Sequence, residues 1–157
     1  MRWQTTDIDT YQQSQSYVDT ALIPLLPVSL GEEMKMKVAM GEYISLIAME
    51  MEKQFRGRMM QLPPLSYPQN EGVEELLQHL NAWVEELKAN GKNHIIWLTS
   101  DPMWKKYEDE IPGGLLLWLP HLPIEHLDPQ LRQKTINDQM KEILPTIMKE
   151  WRQDKGS

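Results

Sequence analysis

Apolar residues in this chain fall into two kinds of run. One kind is a short unbroken block closed by proline or small polar residues; in the other, apolar residues return every three or four positions. The blocks are 21–28 (ALIPLLPV), 59–62 ahead of Pro63-Pro64, His94–Thr99 (HIIWLT) ahead of Ser100-Asp101-Pro102, and 114–119 (GLLLWL) ahead of Pro120. A strand that is apolar at every position is buried on both faces, which is the situation of a parallel strand between two layers of helices. Four strands are therefore expected, at about 20–28, 58–62, 94–99 and 114–119. Pro24 and Pro27 each delete a ladder donor in the first of them, which places one at a bulge or at the strand end.

The periodic stretches predict the helices between these strands. Over 6–18, Ile8, Tyr11 and Val18 form a thin stripe, with Thr6 and Asp9 in capping-box spacing. Over 32–55, Met36, Met40, Ile44, Ile47, Met51 and Phe55 line one face, and Gly57 is a natural stop. Over 73–89, Val73, Leu76, Leu77, Leu80, Val84 and Leu87 do the same before Asn90-Gly91. A short helical piece is expected at 103–108. The last helix starts with Asp128 as cap and Pro129 in first position, buries Ile136, Met140, Ile143, Ile147 and Trp151, and is kinked at Pro145. Segment 63–72 (PPLSYPQNEG) reads as a loop. The prediction is one α/β domain over residues 1–157, in three layers, with a four-stranded mainly parallel sheet flanked by helices. Right-handed crossovers favour the strand order 2-1-3-4.

Composition narrows the function classes. A chain of 157 residues without cysteine folds around an apolar core with no disulfide, thiolate nucleophile, zinc–sulfur site or iron–sulfur cluster. A formal charge of −7, with no long basic run, argues against nucleic acid as a partner. No apolar stretch has the length of a membrane span, and the polar start carries no signal pattern, so a cytoplasmic protein with no membrane partner is expected.

Open α/β sheets bind ligands beyond the carboxyl ends of their strands. That edge is expected to gather Ser29, Glu32 and Glu33, then Ser66 and Tyr67, then Ser100, Asp101 and Trp104, and finally His121, Glu125 and His126. Glu32, Asp101 and His121 are the candidate catalytic groups of a divalent-metal hydrolase, with Glu33, His121 and His126 as candidate ligands. Against this, Pro120 and Pro123 oppose a regular helix there, and no His-Glu-x-x-His spacing occurs. Phosphate binding is disfavoured: no glycine-rich phosphate loop follows a strand, and Glu32-Glu33 occupy the one suitable helix start. None of the edge serines has the glycines of a nucleophile elbow. Tyr67, Ser100 and Trp104 are the candidate binding residues, Trp104 being either an exposed recognition aromatic or a lid on the core. The 11 methionines, mostly at helical spacing, are expected to fill core space.

Two resemblances add to this reading. Arg2-Trp3, Asp7-Ile8-Asp9-x-Tyr11, Tyr17-Val18-Asp19-Thr20-Ala21-Leu22-Ile23-Pro24, Met40-Gly41-Glu42-Tyr43-Ile44-Ser45 and Leu62-Pro63-Pro64 resemble the YpiF-like family of spore-forming Gram-positive bacteria, which implies no activity. Over 20–101, Leu26-Pro27-Val28, Leu62-Pro63-Pro64-Leu65 and the Ile-rich third strand are similar to the creatininase-type metal amidohydrolases. The loops 29–33 and 98–101 lack that family's histidines, so this resemblance implies a scaffold without its metal centre. Three functions follow as expectations, none with an assigned cofactor. The first is a non-enzymatic interaction or regulatory module acting on a protein partner or on itself. The others are a metal-dependent hydrolase and a small-molecule-binding protein using the carboxyl edge.

Overall fold

The computed structural model describes residues 1–153, so the last four residues of the expected domain lie outside the described residues. Five strands form one sheet in which every pair is parallel: β1 (Thr20–Val28), β2 (Met59–Gln61), β3 (Leu65–Pro68), β4 (His94–Thr99) and β5 (Leu115–Trp118). The order is β2-β1-β4-β5, with β3 also paired to β1. The expected order of the four apolar blocks holds, and β3 is an addition from the segment read as a loop. Pro63-Pro64 end β2, and the chain then pairs again with the second half of β1.

That split partner accounts for the two prolines. Even-numbered residues of β1 direct their backbone groups towards β2: the Thr20 N–H donates to Arg58 O, and Leu22 O accepts from the Leu62 N–H. The register passes from Leu22↔Gln61 to Leu25↔Leu65, so Pro24 faces the seam between β2 and β3. Odd-numbered residues face β4, whose last partner on β1 is Pro24, so Pro27 lies past the end of that ladder. Neither proline removes a bond that the sheet would otherwise make.

Alternate residues of β1 and β4 feed two cores. Ala21, Ile23, Leu25, Ile95 and Trp97 pack under α3 (Val73–Ala89), with Tyr11 of α1 (Thr5–Gln13) on the same face. Leu22, Ile96 and Leu98 pack under α2 (Met34–Gln54) and α4 (Pro129–Trp151). Three expectations need correction. First, α1 starts at Thr5, with Gln4 at its cap, and stops at Gln13 before a 3₁₀ turn, Gln15–Tyr17; Thr6 thus lies inside the first turn and makes no capping box with Asp9, while the Asp7 carboxylate accepts from the Arg2 N–H at 2.8 Å. Second, α2 starts at Met34 rather than 32, and Met36 is exposed rather than in the core. Third, exposed Met34, Met49 and Met148 likewise depart from the reading of methionine as core filler. α4 runs as one element through Pro145, and Asp128 caps it by accepting from the Leu131 N–H at 2.8 Å. Among the described residues no helix is long and apolar enough to cross a membrane.

Two carboxylates tie the ends of these elements together. Asp19 accepts from Arg58 at 2.9 and 3.1 Å and from the Thr20 hydroxyl at 2.9 Å. Glu52, fully buried, faces the Met1 ammonium at 3.1 Å, Arg56 at 3.0 Å and Arg2 at 3.5 Å. Burial pushes both carboxyls up. The hydrogen bonds from Arg58 and Thr20 to Asp19, and from Arg56 and the Met1 ammonium to Glu52, outweigh burial and hold both below their ordinary values. Folded-state values below the unfolded ones mean stability that is present above the unfolded values and is lost as pH falls through the folded ones. The urea midpoint is therefore expected to drop between about pH 5 and pH 3, with a shallower drop in Glu52→Gln. A midpoint flat across that range contradicts the assignment.

Candidate functional site

From β1 the chain moves outward to β2 and β3, then crosses to β4 on the other side of β1. The carboxyl ends of β1 and β4 thus flank the topological switch point, where a doubly wound sheet opens a crevice. Here the crevice is filled. The Tyr67 hydroxyl donates to Asp101 Oδ2 at 2.7 Å and accepts from Trp104 Nε1 at 2.7 Å. The two rings meet edge to face, with centroids 5.8 Å apart. Asp101 Oδ1 accepts from the Met103 N–H at 3.0 Å and so caps the 3₁₀ segment Pro102–Glu110. The Asp101 N–H donates to Thr99 Oγ1 at 3.1 Å, and the Thr99 hydroxyl donates to Leu25 O at 2.9 Å.

Three of the candidate residues, Tyr67, Asp101 and Trp104, are therefore brought together, with Ser100 beside them in the chain, and all four are buried. Burial, reinforced by the Asp101 carboxylate, drives the Tyr67 pKa far above the ordinary phenol range, so the hydroxyl keeps its proton. The cluster acts as a strut joining β3, β4 and the 3₁₀ segment. Trp104 takes the lid position, and neither aromatic ring is offered at the surface.

The remaining candidates stay apart from this strut. Glu32 is exposed in the turn before α2, and Glu33 pairs with Lys37 at 3.8 Å. In the connection from β5 to α4, His121 is half-buried while Glu125 and His126 are exposed. Among the described residues no three His, Asp or Glu side chains are placed to hold a metal ion together. As placed, the donor set does not fit a divalent metal.

The edge shows instead an apolar surface. At the carboxyl end of β1, Val28 is 46% exposed, and just past it Leu30 is 82% exposed; on the first turns of α2, Met34 is 46% exposed and Val38 52%. These four side chains line a groove of about 600 Å³ floored by Leu26 and Pro27. The signal in the sequence is the segment MKMKV at 34–38. Apolar residues two apart spread round a helix instead of sharing one face, so part of them must meet solvent.

Residues 9–151 match the family described as "Protein of unknown function (DUF2487)". The Uncharacterized protein YpiF of Bacillus subtilis (strain 168) is 35% identical over 151 residues, which cover 96% of this chain and 98% of that protein. No solved structure matches the chain. These findings carry the first of the two resemblances read from the sequence and give no support to the creatininase-type one. With a family match over residues 9–151 and a relative aligned over 98% of its own length, the chain belongs to the DUF2487 family of proteins of unknown function.

Proposed function

We propose that this chain is a non-enzymatic interaction module that binds a protein partner through the apolar groove at its carboxyl edge. The observation that carries the reading is the run of exposed apolar side chains at Val28, Leu30, Met34 and Val38, contiguous around one groove. Single exposed apolar residues are ordinary on protein surfaces, but several rimming one concavity mark a contact site. Methionine adapts its shape to whatever it meets, which suits Met34 to such a site. Lys37, paired with Glu33, stands at the margin of the groove together with Arg132 and Glu42. The partner segment that fits is apolar. Tyr67, Asp101 and Trp104 occupy the switch-point crevice, which favours this surface contact over catalysis or ligand binding there.

The test is a Leu30→Glu, Val38→Glu double variant compared with the wild-type chain by affinity capture and by sedimentation at several concentrations. Both side chains are exposed, so the thermal midpoint is expected to move by no more than about 2 °C. The expected result is a stoichiometric partner retained by the wild type and lost by the variant. Identical retained proteins and identical oligomeric states for the two reject this surface.

A further inference from the structure

At the opposite end of the sheet, on the face covered by α1 and α3, lies a cavity of about 890 Å³. Its size falls in the range of sites for small organic molecules. Trp3, Tyr11 and Trp83 supply aromatic walls, and Ala21, Met60 and Leu62 form the apolar floor. We infer that this cavity binds a flat organic anion of one or two aromatic rings, with Lys92 as its charge anchor.

Lys92 lines the cavity and is only 4% exposed. The end of α3 sets it there. Gly91, at φ 81°, takes the left-handed conformation that closes a helix, with its N–H donating to Lys88 O at 3.2 Å and the Lys92 N–H donating to Leu87 O at 2.9 Å. This pair of bonds is a Schellman motif, which turns the next residue back against the helix. The Lys92 ammonium donates to Asn90 O at 3.0 Å and lies 4.8 Å from the centre of the Tyr11 ring. An ammonium has three donors, and this one makes a single hydrogen bond and no ion pair with any carboxylate among the described residues. A buried charge without a counter-charge is costly, and an anion seated in the cavity relieves that cost. Glu86, the one acidic residue on the wall, is exposed to solvent and accepts from Asn90 Nδ2 at 3.3 Å. The aromatic walls select a flat molecule, and the walls and floor together leave no second cation to hold a dianion.

Three probes of one shape and different charge decide the matter on the full chain: 2-naphthoate, neutral 2-naphthalenemethanol and cationic 2-naphthylmethylamine, titrated by calorimetry and by amide NMR shifts. The expected order is naphthoate at least about tenfold tighter than the alcohol, the equivalent of one charge-assisted hydrogen bond, with the amine weakest. Lys92→Met is expected to erase the difference between naphthoate and the alcohol, Lys92→Arg to keep it, and Trp83→Ala to weaken both. Absence of binding by all three probes, equal affinity for naphthoate and alcohol in the wild type, or an anion preference that survives Lys92→Met overturns the inference. The wild-type comparison stands by itself if a variant misfolds. The cavity is remote from the carboxyl-edge groove, so either result is independent of the partner surface.

Discussion

Trp104→Ala is expected to lower the stability of the chain by about 4 kcal/mol, a large share of what a single domain has in total. The indole is fully buried between the carboxyl ends of β3 and β4, so truncation leaves a cavity on top of the lost transfer energy. It also strips the Tyr67 oxygen of its donor. Tyr67→Phe separates the two contributions: packing stays, but Trp104 Nε1 and Asp101 Oδ2 each lose their partner in the interior. That change is expected to cost about 2 kcal/mol. Urea unfolding followed by far-UV circular dichroism measures both. A loss below about 1 kcal/mol for Trp104→Ala contradicts the strut reading and returns the tryptophan to the surface.

Gly114→Ala is expected to cost about 3 kcal/mol or more. A methyl group at this position runs into the carbonyl of Ile95. Ile95 is unable to yield, because β4 is held by β1 on one side, with Ala21 opposite Ile95, and by β5 on the other. The clash is therefore met by displacing β5 from the sheet. Gly57→Ala is the matched control: an added methyl there meets nothing, and a change within about 0.5 kcal/mol is expected. Equal stability of the two variants rejects the close approach of β5 to β4.

The main strands and helices were legible because burial on both faces writes itself as unbroken apolar runs, and burial on one face as a three-to-four repeat. β3 was not legible: Leu65–Pro68 is four residues long, sits between prolines, and is a strand only because the second half of β1 lies free to receive it. The same gap hid the nature of the candidate site. Strand direction places Tyr67, Ser100, Asp101 and Trp104 at a carboxyl edge, yet it is β3 that carries Tyr67 across to Asp101 and closes the cluster. Strand direction alone groups Glu32 and the two histidines with them, and it fixes an edge but not a distance along it. Lys92, in the tetrad Asn90-Gly91-Lys92-Asn93, looks like any loop lysine. The readable hint was Asn90-Gly91 after a strong helix, since a left-handed glycine cap turns the following residue inward.

The seam opposite Pro24 gives the chain a place where added length meets no partner strand. Gln61 closes one ladder against Leu22, Leu65 opens the next against Leu25, and the residue of β1 between them that faces this side has no N–H to offer. Residues inserted at Pro63-Pro64 shift neither register, because nothing across from them is counting. Added residues are accommodated here at the least cost to the sheet, so that a tag or a cleavage site can be built into its middle without breaking it.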